Sequence, residues 1–319
     1  MPREVVHCEI LDRVRDVRLP TLLITHEHFA YLGSLAPDAL YYYRLGASSV
    51  EGIAEILHGS AGDDTFTLPR ELAKKILELP VNERDPLWAF LIGYVTHCVV
   101  DSIFHPPIYF LTGDYYDVDV ESRREVRARH RAFEVYLDSW WGTSVGAQHY
   151  DLWHSWKKVS GSLSFARLTN YLQEITKQNP KGTEWRNAFW YMSALQRAFY
   201  SKWLGSFMKR ARSLFPKLRS SEALFRLGRE IPDKIFDEPL RFKNPVTGVD
   251  GCATIFELRE RSIQECLAVV KQLEPLIGGY STDVEGAFKG LVGKSLNAGL
   301  IGVKKAEMKY FSSPPVQIE

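Results

Sequence analysis

The chain has few cysteines, no excess of charge of one sign and no long uninterrupted apolar run. Its four cysteines, Cys8, Cys98, Cys252 and Cys266, form no C-x-x-C pair, so neither a disulfide framework nor a cysteine-paired zinc finger is indicated. Forty basic and 39 acidic residues nearly cancel, which argues against a dedicated nucleic-acid-binding protein. We expect reduced, mostly buried thiols in a soluble globular protein.

Signals for export or membrane insertion are also lacking. The first twenty residues carry acids and bases throughout and contain no apolar segment of the signal-peptide type. The longest apolar stretch, residues 87–111, is interrupted by two histidines, an aspartate and two prolines, unlike a membrane-spanning helix of about twenty apolar residues. These features predict a cytoplasmic protein without a transmembrane segment.

The apolar residues recur mostly at helical spacing, and no stretch alternates as a strand would. We predict an all-α multi-helix bundle in one domain, 1–319, with metal-site helices within 20–145 and additional helices within 160–319. A loop rich in proline and glycine is expected at 242–251, and a frayed tail is expected from Ser312. The predicted helices cover residues 21–32, 50–57, 68–79, 87–105, 122–141, 185–215, 221–229 and 253–276.

The stretch 87–111 carries the strongest functional signal. His97, Asp101 and His105 interrupt it at steps of four, and each step turns a helix by only roughly 40° from a whole number of turns, so all three project from one face. A buried carboxylate needs compensation, and a metal ion is the simplest source of it. The alternative is a set of hydrogen-bonded core residues. Pro106 and Pro107 are expected to end the helix at His105.

A second pair repeats this pattern. His130 and Glu134 are one turn apart on a predicted helix, on the apolar stripe that also contains Phe133 and Leu137. Both are polar groups in apolar surroundings, which again favours a metal site.

In chain order the unusual residues are His26, Asp38, His58, His97, Asp101, His105, His130 and Glu134. These residues lie in the segments THEHFAYL, GSLAPDALYYY, ILHG, GYVTHCVVDSIFHP and HRAFEVYLD. Together the segments resemble the zinc-dependent phospholipase C family between residues 21 and 141. The resemblance implies an all-α bundle of the phospholipase C and P1 nuclease type, with zinc ions at the bottom of a cleft.

The resemblance also implies a role for each residue. His58, His97 and Asp101 would hold one zinc ion, and His26 with a shared Asp101 would belong to a third site. Asp38 would be a ligand or the group that accepts a proton from the attacking water. The second zinc ion would be held by His105, His130 and Glu134.

The third site departs from the family pattern. In the secreted phospholipases the N-terminal residue lies close to the first histidine and completes one zinc site, whereas here twenty-five residues precede His26. His28, Glu27 or His7 could substitute for the missing ligand. We expect two zinc ions, with a third weakly bound or absent.

These observations lead to a predicted function. The chain is expected to be a zinc-dependent phosphodiester hydrolase of phospholipase C type, in which metal-activated water attacks a phospholipid head group and Asp38 is the catalytic carboxylate. The alternatives are a zinc nuclease of the S1 and P1 type or another phosphoesterase, and a non-catalytic metal-containing binding protein. Tyrosines at 41–43, 109, 115 and 116 are candidates for a lipid-accepting cleft. The expected partners are a phospholipid or other phosphodiester substrate and, transiently, a membrane surface, with no dedicated nucleic-acid partner.

Overall fold

A computed structural model describes residues 4–43, 48–146, 150–177, 184–214, 223–225 and 234–316. This part of the chain is predominantly helical, which confirms the all-α fold class. The first twelve helices are α1 Glu4–Val17, α2 Pro20–Thr25, α3 Glu27–Gly33, α4 Ala36–Tyr42, α5 Ser48–Leu57, α6 Thr67–Leu77, α7 Asp85–Thr112, α8 Val120–Ser144, α9 Leu152–Val159, α10 Leu163–Ile175, α11 Glu184–Phe199 and α12 Lys202–Leu214. They are followed by α13 Lys234–Asp237, β1 Leu240–Lys243, β2 Asp250–Ala253, α14 Ile255–Ile277 and α15 Val284–Ala287, with 3₁₀ turns at Val81–Glu83 and Lys305–Glu307.

Helix α7 is the centre of the fold, and it is longer than predicted. It continues through Pro106 and Pro107 to Thr112, so His105 lies inside the helix and not at its end. A proline inside a helix costs about 3 kcal/mol or more. The prediction was wrong because α7 is surrounded by other segments, and their packing holds the helical conformation past both prolines.

Composition and length alone would let α7 cross a membrane. The most apolar window of the helix is, however, 100% buried inside the fold. This is the situation of a core helix in a globular protein, which passes the same test of length and composition.

The C-terminal tail covers the end of α7. The backbone N–H of Ser312 donates to the carbonyl of Phe110 at 2.8 Å, and that of Val316 donates to the carbonyl of Leu111 at 2.8 Å. These carbonyls belong to the last turn of the helix and have no partner within it. The predicted fraying is therefore wrong as far as Val316, and residues 317–319 lie outside the described part.

Helices α3 and α7 cross at very short distance because each has a glycine at the contact. A β-carbon built on Gly33 would lie 2.1 Å from the carbonyl oxygen of Phe90, and one built on Gly93 would lie 2.1 Å from that of Ala30. No side chain fits at either position. The crossing places the residue after α3, Ser34, directly beside α7.

Helix α1 was not predicted, because the charged start of the chain was not assigned to any element. Its first backbone N–H groups, at Val5 and Val6, donate to the buried carboxylate of Asp138 on α8. Glu9 forms an ion pair with Arg259 on α14. Contacts with two later helices thus hold α1 in the core, although its sequence is rich in charge.

Three other expectations need correction. The predicted helix 21–32 is two helices, separated at His26, whose φ of −119° and ψ of 32° are not helical. The predicted helix 185–215 is also divided, between Phe199 and Lys202. The segment 242–251, expected to be a loop, is a loop at 244–249, but its ends belong to an antiparallel hairpin that pairs Leu240 with Ala253 and Lys243 with Asp250.

The remaining predicted helices can be compared briefly. Those at 50–57, 68–79, 122–141 and 253–276 correspond to α5, α6, α8 and α14. The helix predicted at 221–229 lies mostly outside the described residues. Buried hydrophobic side chains from both halves of the chain, from Val5 to Leu296, belong to one core cluster. The single-domain assignment stays a prediction.

Replacement of Gly93 by alanine tests the close crossing. We expect a loss of stability of about 3 kcal/mol, at the upper end of overpacking penalties, because the new methyl group meets backbone and not a flexible side chain. Thermal or denaturant unfolding measures the change. Gly52→Ala in α5 is the matched control, since nothing lies within 4 Å of its β-carbon position. That control should be neutral or stabilising by up to about 1 kcal/mol. Equal stability of the two variants would contradict the close contact between α3 and α7.

Candidate metal centre

Asp101 is at the centre of a buried group of histidines and carboxylates. Its Oδ2 lies 3.1 Å from Nε2 of His97, and its Oδ1 lies 3.2 Å from Nε2 of His7 and 3.8 Å from Nε2 of His105. All four side chains are almost completely buried. One carboxylate is therefore shared by three imidazoles, two of them from its own helix.

The first candidate metal group consists of Asp38, His58, His97 and Asp101, whose donor atoms all lie within 4.8 Å of one another. Oδ1 of Asp38 lies 3.0 Å from Nε2 of His58 and 3.7 Å from Nε2 of His97. These residues come from α4, the end of α5 and α7. Three helices thus converge on one point.

The second candidate group consists of His105, His130 and Glu134, again with donor atoms within 4.8 Å of one another. Oε1 of Glu134 lies 3.0 Å from Nε2 of His130 and 3.7 Å from Nε2 of His105. The i,i+4 spacing on α8 places His130 and Glu134 together, and α7 supplies His105. Asp101 links the two groups because it contacts both His97 and His105.

Hydrogen bonds on the far side of the rings orient four of the histidines. Donation of a proton from Nδ1 leaves the lone pair of Nε2 free for a metal, which is the usual arrangement of histidine ligands. The tautomers are assigned from this network. The Nδ1 atoms of His58, His97, His105 and His130 lie 2.7 Å from the Ala54 carbonyl, 2.8 Å from the Ser34 carbonyl, 2.7 Å from the Leu296 carbonyl and 3.2 Å from the Thr112 hydroxyl.

Several buried atoms at the centre have no hydrogen-bond partner. They are Nε2 of His7, His97 and His105 and both carboxylate oxygens of Asp101. Buried polar atoms without partners are costly. The donor spacings of 3.0–3.7 Å match the edge of a tetrahedron around zinc, which is roughly 3.3 Å for ligand bonds of about 2.0 Å. The residues therefore fit a zinc centre.

The protonation states of these side chains agree with a zinc centre. Burial raises the pKa of Asp101, but His105, His97 and His7 outweigh it and hold that pKa well below its usual range. Burial lowers the pKa of His105 to about 3 and that of His7 as well, so both imidazoles are neutral near pH 7. Burial opposes protonation of His97 too, but Asp101 and Asp38 raise its pKa to about 9. A cation at Nε2 of His97 would take the place of that proton.

The structure corrects the expectation for His26. This residue is half-buried at the junction of α2 and α3, and it joins neither group. The reason is local: α3 packs through its glycine contact with α7 and leaves His26 on the turn before it. The imidazole beside Asp101 comes from His7, whose ring stacks on that of His97 at a centroid distance of 4.3 Å.

Sequence reasoning had named His7 only as a possible substitute. The signal that could have found it is the spacing of His7, Ile10, Leu11 and Val14, which are i, i+3, i+4 and i+7 on one helical face. This is a histidine on an apolar stripe, the same feature that distinguished the central helix. The charged residues around the stripe concealed it.

Of the eight predicted site residues, the other seven are brought together in the two groups. Their role as zinc ligands stays a prediction. His28 and His154 contact each other, with ring centroids 5.3 Å apart, and belong to neither group. His149 lies outside the described residues.

A cavity of about 390 Å³ opens onto both groups. Asp38, His58, His105, His130 and Glu134 lie in its wall, whereas His97 and Asp101 do not line it. Helix α11 also lines the cavity, with Met192, Leu195, Gln196 and Phe199. The tyrosines that line the cavity are Tyr41, Tyr42, Tyr109, Tyr115 and Tyr116, while Tyr43 is buried in the core.

Comparison with known proteins gives one match. A family model described as zinc-dependent phospholipase C matches residues 6–178, which is more than half of the chain. The matched range begins one residue before His7 and includes every residue of the two metal groups. No curated protein and no solved structure matches the chain.

Replacement of Asp101 by asparagine should lower zinc content and stability together, since the carboxylate balances the charge of the bound cations and links both groups. We expect at least about a tenfold loss of zinc affinity. Zinc per chain and thermal unfolding, each with and without a chelator, measure both effects. Asp12→Asn is the control: this half-buried carboxylate accepts hydrogen bonds from Tyr31 and Tyr150, so its loss should reduce stability and leave zinc content unchanged. Full zinc occupancy of Asp101→Asn would contradict the assignment.

Proposed function

Because the chain belongs to the zinc-dependent phospholipase C family, we propose that it hydrolyses the phosphodiester bond of a phospholipid head group. The observation that carries this proposal is the pair of metal groups linked by Asp101 at the floor of the cavity. Bound zinc ions would lower the pKa of a water molecule toward neutrality and stabilise the charge that develops on the phosphoryl oxygens.

The protein's own residues supply the other requirements of the reaction. Asp38 lies in the wall of the cavity and is the carboxylate of the first group nearest to an entering substrate. Its Oδ1 also contacts His58, so it is held in place. We assign Asp38 as the group that accepts the proton of the attacking water. The tyrosine rings of the wall provide an apolar surface with hydroxyl groups for the substrate beside the scissile bond.

One feature separates this proposal from a purely structural metal site. In a closed structural zinc site four protein ligands surround the ion, whereas hydrolytic sites leave a position open. Five of the seven ligand candidates lie in the wall of the cavity and can be reached from it. A site that binds zinc only for stability has no need of such access.

The substrate can be tested with zinc-loaded protein on three compounds. These are a short-chain soluble phospholipid, bis-nitrophenyl phosphate and a single-stranded oligonucleotide, each with a chelator control. We expect hydrolysis of the phospholipid that the chelator abolishes. Cleavage of the oligonucleotide alone would replace the lipid substrate by a nucleic acid. Bound zinc without turnover of any of the three would make the protein a binding protein.

We also propose contact with the surface of an anionic phospholipid membrane through α12. Trp203 and Phe207 are 74% and 58% exposed, and their rings stack at a centroid distance of 6.3 Å. The helix contains four basic residues and no acidic one, so its charge complements anionic head groups. It begins three residues after Phe199, which lines the cavity. Docking of α12 would therefore bring the cavity close to the lipid.

We also propose that the protein is located in a reducing compartment such as the cytoplasm. All four cysteines are free, and Cys8, Cys98 and Cys266 are buried apart from one another. Free thiols persist where the environment is reducing. Anionic lipids on the cytoplasmic face of a membrane would then be the surface that α12 meets.

Replacement of Asp38 by asparagine tests the catalytic assignment. Asparagine keeps an oxygen in the first metal group but cannot accept the proton, so most zinc should stay bound while turnover falls by about 10²- to 10⁴-fold. Zinc content and initial rates on the soluble phospholipid are measured together. Asp250→Asn, at an 84% exposed carboxylate, should change neither. Activity of Asp38→Asn equal to that of the unmodified protein would remove Asp38 from the mechanism.

The double replacement Trp203→Ser and Phe207→Ser tests membrane docking. Binding to anionic vesicles should fall by about tenfold because both interfacial rings are lost, while activity on the soluble phospholipid should not change. Sedimentation with phosphatidylserine vesicles measures the binding, with phosphatidylcholine vesicles for comparison. Tyr280→Ser, at a ring that is 90% exposed elsewhere, is the control. Unchanged vesicle binding of the double variant would assign the contact to another surface, and association with a second copy of the chain in solution would assign α12 to a protein interface.

A further inference from the structure

The match to the family model ends at residue 178, yet a much later segment reaches the metal groups. The segment GKSLNAG, Gly293–Gly299, lies between the end of α5 and the middle of α7. The carbonyl of Leu296 accepts the hydrogen bond from Nδ1 of His105 at 2.7 Å. The N–H of the same residue donates to the carbonyl of His58 at 2.9 Å. The backbone of one residue, Leu296, thus contacts one histidine from each metal group.

The segment is itself fixed at both ends. Its first residue, Gly293, donates its N–H to Asp64 at 2.6 Å, and the Lys294 carbonyl accepts from the hydroxyl of Thr65 at 2.9 Å. Near its other end the Ala298 carbonyl accepts from the side-chain amide of Asn244, the residue after β1, at 2.8 Å. The hairpin that was absent from the sequence prediction is therefore a support for the segment.

A close approach to α7 positions the segment. Gly299 has a φ of +67°, and a β-carbon at this position would lie 2.3 Å from the Ser102 carbonyl oxygen. Ser102 is one turn before Pro106, whose missing N–H leaves that carbonyl without its usual helical partner. The absence of a side chain at residue 299 allows the segment to lie against this part of the helix.

The segment also contributes a side chain to the cavity. Asn297 lines the wall, and its Oδ1 accepts a hydrogen bond from the hydroxyl of Tyr109 at 2.9 Å. Its Nδ2 donates to the hydroxyl of Ser60 at 3.2 Å. The ring of Tyr109 packs on that of His130 with a centroid distance of 4.7 Å. Asn297 therefore fixes a ring that covers a candidate ligand of the second group.

We propose that Gly293–Gly299 is a positioning segment of the zinc centre, supplied by a part of the chain beyond the matched family region. It holds the ring of His105 with Nε2 directed toward the second metal group, and it keeps that group in register with His58 of the first. The proposal rests on the zinc centre proposed above. Loss of such a partner of a histidine ligand typically weakens metal binding by 10- to 100-fold.

The experiment compares Gly299→Ala with Gly302→Ala in the full-length protein. Both glycines have positive φ, +67° and +70°, so both substitutions impose the same backbone strain. Only the first adds a clash, because nothing lies within 4 Å of the β-carbon position at Gly302. The displacement of Leu296 should weaken binding of the zinc ion of the second group by about 10- to 100-fold in Gly299→Ala. Gly302→Ala should bind zinc as the unmodified protein does.

Zinc affinity is measured by competition with a chromogenic chelator, and near-UV circular dichroism of the metal-free protein monitors the fold. Nitrogen-15 spectra of the histidine rings report the tautomer of His105, which a purely structural effect at a distance would not change. If Gly299→Ala fails to fold, the same zinc affinity is measured for Asn297→Ala, which removes hydrogen bonds without adding a clash. We expect a smaller loss of zinc affinity from it, in the same direction.

The outcomes separate the two proposals. If the unmodified protein binds no zinc, the proposed function is wrong. If it binds zinc and the folded Gly299→Ala variant, or Asn297→Ala in its place, binds zinc equally well, the positioning segment is wrong while the zinc centre stands.

Discussion

The buried carboxylate of Asp101 is the constraint on which the rest of the structure depends. It lies in the most apolar helix of the chain, with no contact to water, and it contacts the rings of His7, His97 and His105. An isolated carboxylate in this position would be costly, and removal of one partner from a buried charged group typically costs several kcal/mol. Two of its partners come from its own helix, α7, and the third comes from α1.

The orientation of the ligand rings depends on groups from separate elements. The Ser34 carbonyl orients His97, and it is beside α7 only because Gly33 and Gly93 allow α3 to approach. The Leu296 carbonyl orients His105 and comes from the far end of the chain. A zinc centre of the proposed type therefore has its ligands in the first half of the chain, while part of the support for those ligands lies in the second half.

The second half of the chain also contacts the elements around the two groups. It covers the C-terminal end of α7 through Ser312 and Val316, holds α1 through Arg259 and lines part of the cavity with α11. Each of these contacts acts on an element that carries or covers a candidate ligand. These contacts make the second half a structural support for the site.

The sequence by itself determined the helical fold class and pointed to the seven residues that meet in the two groups. Five of them are polar residues at steps of four on apolar helices, a visible pattern, whereas Asp38 and His58 were indicated by the resemblance to the family. The same reasoning placed His26 at the centre, and here it was wrong, because local motifs do not say which of two nearby histidines packs against Asp101. Only the tertiary structure shows that His7 is the histidine that packs against Asp101. Helix α1, which carries His7, is held in place by contacts with Asp138 and Arg259, more than a hundred residues away. The tertiary structure likewise decided the continuation of α7 through its prolines and the role of Leu296, whose contribution is a backbone carbonyl. A backbone carbonyl is common to every residue type, so no pattern of side chains can reveal where the fold will use it.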